Sequence, residues 1–232
     1  MELEINEITR SARFNLADWY SPNLKIVIGG VGGIGSYLSF FLSRQEAELF
    51  VYDFDTIEEH NLGGQLYRTN DIGSKKTDAM AKICTEFSNK SIIDLGKFKE
   101  GSSVLPITFS AFDNMEARKL MFNEWKKLEN REIFIDGRMN AEQGQVFTVL
   151  KGMEKKYEST LFDDSELEDL PCNYKATSHC GAIIAGLMTS ALNNYISNTK
   201  TGMNLRDNPF ELHYVLQLFD FKIKELSDES NK

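Results

Sequence analysis

The sequence predicts an α/β fold: a mostly parallel sheet with helices on both faces and an antiparallel extension toward the C-terminus. Three observations lead there. Lys25 to Gly29 is a short β-branched run suited to a strand covered on both faces, and it passes straight into a glycine cluster ending at Gly35. From Ser36 the apolar residues Tyr37, Leu38, Phe40, Phe41 and Leu42 read as a helix, and a second strand, Glu48 to Tyr52, follows and ends in Asp53. Further apolar runs then alternate with helical patterns along the chain, which is how parallel strands are connected.

The elements follow in order. Ile5 to Tyr20 carries apolar residues at mixed spacing together with two arginines, Arg10 and Arg13, and reads as an amphipathic helix within an N-terminal helical segment, 1–22. Gly30, Gly32, Gly33 and Gly35 allow a tight turn and close approach of a phosphate-bearing ligand, and the first turn of the next helix offers unpaired N–H groups to it, as in Rossmann-like folds. Asp53, roughly 20 residues on, is placed to bind ribose hydroxyls. Asp55 and the polar loop His60 to Gln65 lie at the carboxyl end of the second strand, the edge that lines the ligand crevice of an open parallel sheet.

After Gly73 a helix runs from Lys76 to about Phe87, with Cys84 as a small core residue. Leu105 to Ala111 is the next core strand; Asp113 stands just past its end, before a helix of Met115 to Leu128. Glu132 to Asp136 and Gln145 to Leu150 are further strands, joined through Gly137, Arg138 and Gly144. Lys151 to Leu170 is charged and weakly patterned, with five acids between Asp163 and Asp169, so 151–176 is expected to be a mobile crossover loop. A long apolar helix from Ser178 to Ser197, a final strand from Glu211 to Phe219 and a polar tail complete a single domain spanning 1–232.

Composition narrows the partners. A formal charge of −9 argues against nucleic acid or an anionic membrane, and the uncharged apolar runs are too short to span a bilayer. The acidic N-terminus lacks a secretory pattern and the three cysteines form no disulfide framework, so a cytoplasmic protein with reduced thiols is expected.

Five motifs in register, Gly30-Val31-Gly32-Gly33-Ile34-Gly35, Asp53-Phe54-Asp55, Asn61-Leu62-x-x-Gln65, Gly73-x-x-Lys76 and Asp113-Asn114-x-x-x-Arg118, resemble the ThiF/HesA/MoeB family of adenylyltransferases across roughly Arg10 to Tyr195. The resemblance implies binding of ATP and magnesium, and attack of a partner's C-terminal carboxylate on the α-phosphate to give an acyl adenylate and pyrophosphate. It implies that the glycine loop holds the phosphates and Asp53 the ribose, that Asp55, Asn61 and Gln65 line the triphosphate pocket, that Lys76 contacts the phosphates, and that Asp113 holds the magnesium. The partner is then a small ubiquitin-like or sulfur-carrier protein, or a short peptide, and the enzyme a homodimer in which Arg13, or else Arg10, reaches the other subunit's site. Cation and metal-binding carboxylate are also what the chemistry asks for, because charge builds on the phosphoryl oxygens.

Two departures stand out. Where the family carries an arginine before Gln65, this chain has Gly64, and Arg68 or Arg138 are the alternative sources of that charge. The chain lacks paired Cys-x-x-Cys motifs, so no structural zinc is expected. Family members that go on to a thioester or persulfide use a cysteine in the crossover segment. Cys172, near Lys175, is the first candidate, and Cys180, beside His179 at a helix start, the second. The competing readings are a catalytically inactive scaffold subunit, favoured by Gly64, and an NAD-dependent oxidoreductase, which shares only the glycine loop and Asp53.

Overall fold

A computed structural model describes residues 11–162 and 177–224. Its strands are β1 (Lys25–Gly29), β2 (Glu48–Tyr52), β3 (Ile92–Asp94), β4 (Ile107–Ser110), β5 (Ile133–Asn140), β6 (Gln143–Leu150), β7 (Glu211–Val215) and β8 (Asp220–Lys224). Its helices are α1 (Gly35–Arg44), α2 (Lys76–Ser88), α3 (Met115–Lys126), α4 (Glu154–Glu158) and α5 (Ser178–Thr201). The strands form one sheet in the order β3-β2-β1-β4-β5-β6-β7-β8. Pairing from β3 to β5 is parallel and from β5 to β8 antiparallel, as the sequence predicts.

The chain winds outward from β1 to β2 and β3, then returns to lay β4 on the other side of β1. That reversal leaves a crevice beyond the carboxyl ends of β1 and β4, where open α/β sheets bind ligands. Side-chain alternation splits the core in two. Ile26 and Ile28 face a cluster with Leu38 and Leu42 of α1, Met80 and Ile83 of α2, and Ile184 and Met188 of α5. Val27 faces the other way, into an aromatic cluster of Phe122 and Trp125 from α3, Phe134, Phe147 and Tyr157. Each such fully buried side chain contributes roughly 1.5–3 kcal/mol, which fixes the sheet between its helices.

Some elements differ from expectation for visible reasons. β3 and β8 are edge strands that bury little: Ile93, Phe221 and Ile223 are exposed. β5 and β6 extend into a long hairpin through Gly137 and Gly144, glycines that sit inside strands because neighbours crowd them. A Cβ on Gly137 would lie 2.4 Å from Met188 Sδ, and one on Gly144 2.4 Å from Tyr214 Cζ.

Residues 11–19 are turns instead of the expected helix, held from outside: Asp18 accepts from Ser197 Oγ at 2.6 Å and from Arg206 Nη2 at 2.7 Å. The start of the segment read as a mobile loop is ordered around α4, whose Tyr157 is fully buried. The acidic cluster and Cys172 lie outside the described residues, as does Arg10. Among the described residues no helix is long and apolar enough to cross a membrane.

Candidate functional site

The crevice is built by the glycine loop. Gly30 turns out of β1 with φ +84°, and a Cβ there would stand 2.9 Å from the Ala111 carbonyl oxygen at the end of β4. Gly35 opens α1 so close to the returning chain that a Cβ would meet the Gly30 oxygen at 1.9 Å. Gly33 is backed by α5, since a Cβ on Gly181 would come within 2.3 Å of the Gly33 oxygen. Gly32 faces open space, with Gln65 Nε2 its nearest neighbour at 4.0 Å from a hypothetical Cβ. No side chain caps the N-terminus of α1, so its dipole end is available to an anion.

Asp53 braces this loop: its oxygens accept from Val31 N–H at 2.8 Å and Asp55 N–H at 2.9 Å. Burial raises its carboxyl above the ordinary value, and these backbone bonds only partly offset that. Each oxygen keeps a second lone pair for a hydroxyl donor. Asp55 in turn accepts from Lys76 Nζ at 2.7 Å, and Lys76, first residue of α2, is 7% exposed, more enclosed than its place at a helix start suggests.

Asn61 Oδ1 accepts from Glu58 N–H at 2.9 Å and so shapes the turn that delivers Gln65 to the glycine loop. Gln65 Oε1 is buried with no hydrogen-bond partner, an acceptor that a bound donor would satisfy. Two residues absent from the sequence-based site tie this loop down: Tyr67 donates its hydroxyl to the Val31 carbonyl at 2.6 Å, and Ser36 Oγ accepts from Leu66 N–H at 3.0 Å.

Asp113 is exposed, two residues beyond Ala111, on the far lip of the crevice. Its neighbour Asn114 is the helix cap, accepting from Ala117 N–H at 2.8 Å, so Asp113 is not occupied in capping α3. Beneath it Arg118, buried, donates to the Phe112 carbonyl, to Asp136 and to the Gly137 carbonyl at 2.9 Å. Among the described residues no cluster of three or more His, Cys, Asp or Glu could hold a metal by protein ligands alone. A magnesium ion held by one carboxylate and nucleotide phosphates needs no such cluster, so Asp113 fits that mode.

The other residues that the sequence singles out have the following surroundings in the structure. Arg68 is paired with Asp71 and Glu86, and Arg138 with Asp136 and Thr160, so either would have to leave these partners to supply the charge missing at Gly64. Cys180 is buried, with its Sγ 3.2 Å from Tyr214 Oη, and burial raises the thiol despite the helix start. His179 faces Glu142 at 3.4 Å. Arg13 is exposed within the N-terminal turns.

Comparison with known proteins bears on this geometry. The family model of the ThiF family matches residues 22–230. Ubiquitin-like modifier-activating enzyme 5 of Arabidopsis thaliana is 26% identical over 132 residues, 46% of this chain and 31% of that protein. The E. coli MccB structure with AMPCPP and MccA has a TM-score of 0.69 at 15% identity, over 99% of this chain and 75% of that one. The PaaA structure has a TM-score of 0.62 at 19% identity, over 88% of this chain and 64% of that one. These structural likenesses show a shared fold, and the chain spans about a third of the length of the plant relative. Because the family match takes in the whole sheet together with the glycine loop and the antiparallel strands, the chain belongs to the ThiF family.

Proposed function

We propose that the chain is an ATP-dependent adenylyltransferase that activates the C-terminal carboxylate of a small ubiquitin-like or sulfur-carrier protein, or of a peptide. The observation that carries this is the glycine loop itself: it leaves Gly32 open beside an unpartnered Gln65 oxygen and an uncapped helix start, with Lys76 beyond Asp55. The relatives' names point the same way, one being an activating enzyme for a ubiquitin-like modifier and another a structure with AMPCPP and MccA.

The glycine loop and the start of α1 bind the phosphates, and Asp53 accepts from the ribose while bracing Val31. Lys76 exchanges its Asp55 contact for a phosphoryl oxygen, where it stabilises charge that builds as the partner's carboxylate oxygen bonds to the α-phosphorus. The bond from the α-phosphorus to the bridging oxygen breaks, and pyrophosphate leaves with that electron pair. Asp113 would hold a magnesium ion, which would neutralise the pyrophosphate charge. No group of the chain needs to form a covalent bond in this step. The reading further includes a cytoplasmic homodimer with Arg13 completing the partner's site, and a thiol step at Cys172. Magnesium-dependent binding of ATP, lost in Asp113→Ala with an unchanged melting temperature, tests the site.

A second reading has a specific observation behind it. With Gly64 in place of the arginine and both Arg68 and Arg138 engaged elsewhere, the pocket is short of one cation, which suits a scaffold subunit that binds nucleotide without turning it over. Label exchange between pyrophosphate and ATP, present in one case and absent in the other, separates the two.

A further inference from the structure

Asp136 is fully buried at the point where β5 leaves the parallel part of the sheet, between Ser110 of β4 and Phe147 of β6. Its two oxygens are divided between different parts of the chain. Oδ1 accepts from Arg118 Nη1; Oδ2 accepts from Arg138 Nε at 2.7 Å and from Tyr157 Oη at 3.0 Å. Burial alone would raise this carboxyl, but Arg118 and Arg138 outweigh it and hold it below the ordinary value.

Each arginine reaches onward to a backbone carbonyl. Arg118 Nη2 donates to the Phe112 carbonyl, the peptide directly before Asp113. Arg138 donates to the Thr160 carbonyl at 2.8 Å and to Thr160 Oγ1 at 3.0 Å, and its guanidinium lies 4.3 Å from the centre of the Phe147 ring. Thr160 follows α4, at the stem of the 151–176 segment that carries Cys172. A planar guanidinium that forks between a carboxylate and a carbonyl fixes both in direction, which an ammonium does not.

We infer that Asp136 is a positioning node: through Arg118 and Arg138 it holds the Asp113 loop and the stem of the crossover segment in one arrangement, so that a displacement of either is felt by the other. The inference rests on the reading of Asp113 given above for its functional meaning, but the coupling is a property of the chain without ligands. Release of Arg118 takes the charge-assisted hydrogen bond from Asp136 Oδ1, and release of Arg138 leaves Oδ2 with Tyr157 Oη alone, so the buried carboxylate favours one arrangement of both arms.

The test uses Arg118→Lys and Arg138→Lys, which keep the charge facing Asp136 and remove the fork. Amide hydrogen exchange is followed in the protein without nucleotide. Arg138→Lys is expected to speed exchange across 112–116, and Arg118→Lys across 157–162, each by about tenfold, the worth of one charge-assisted hydrogen bond. A purely local structural role confines each effect to its own arm, and that result overturns the inference. If both variants fail to fold, Thr160→Val serves as the milder variant: faster exchange at 112–116 supports the node and unchanged exchange there refutes it. In Arg118→Lys the magnesium concentration for half-maximal ATP binding then rises while magnesium-free ATP affinity stays as in the parent. Exchange coupling without any ATP binding would leave the node standing and remove the adenylation reading instead.

Discussion

Gly32 and Gly35 stand three positions apart in one loop, and the structure assigns them opposite consequences on conversion to alanine. At Gly35 the new methyl would lie 1.9 Å from the Gly30 oxygen, a backbone atom, and must retreat by about 1 Å; such overpacking costs about 1–3 kcal/mol. At Gly32 only Gln65 Nε2 approaches, at 4.0 Å, and φ is outside the left-handed region, so alanine is accepted and stabilises by about 0.4–1 kcal/mol through the unfolded chain. If that open space is where phosphate meets the backbone, the Gly32 methyl removes one or two charge-assisted hydrogen bonds. ATP affinity should then fall about 10- to 100-fold. Thermal unfolding and calorimetric titration with magnesium and ATP read both quantities on one preparation. Gly32→Ala with a raised melting temperature and weak ATP binding is the expected outcome; parental affinity in Gly32→Ala refutes the placement of the phosphates.

Lys76→Met should abolish adenylate formation by about 100- to 1000-fold while changing stability by no more than about 1 kcal/mol, because its partner Asp55 is 48% exposed; stability is read by denaturant unfolding and activity by pyrophosphate exchange. Mixing Arg13→Ala chains with Lys76→Ala chains should restore up to about a quarter of the sites if Arg13 acts in the other subunit, and no recovery in demonstrated heterodimers removes that role. Iodoacetamide at pH 8 should leave Cys180 and Cys84 unmodified in the folded protein, burial having pushed the Cys84 thiol up to about 11, whereas rapid labelling at Cys180 would return it to consideration as a nucleophile. A reducible adduct with the partner, if formed, should vanish in Cys172→Ser and persist in Cys180→Ser, as shown by non-reducing electrophoresis.

What the sequence reveals here depends on how local its cause is. The parallel strands were legible because β-branched runs such as Ile26 to Ile28 end in residues with a fixed chemical role, glycine or aspartate. The glycine loop, Asp53, Asp55 and Lys76 were legible for the same reason, and the structure brings them within hydrogen-bond reach of one another. Tyr67 was not, since a tyrosine after a polar loop carries no mark that its hydroxyl will meet the Val31 carbonyl 36 residues away. Gly137 and Gly144 read as loop residues because their crowding by Met188 and Tyr214 comes from elements far along the chain. Arg138 looked available for phosphate for a similar reason: its commitment to Asp136 and Thr160 is visible only once β5 and α4 are packed together. The edge strands β3 and β8 have too little buried surface to write an apolar pattern.

The central claim is that this site joins a carboxylate to the α-phosphate of ATP. Its most direct test is exchange of radiolabelled pyrophosphate into ATP by the purified chain with magnesium and a small candidate partner protein or peptide. Label should enter ATP only when the partner's C-terminal carboxylate is free, and should fail to enter with Asp113→Ala. Label that never enters, although the same preparation binds both ATP and the partner, would contradict the adenylation account and leave the chain as a nucleotide-binding scaffold.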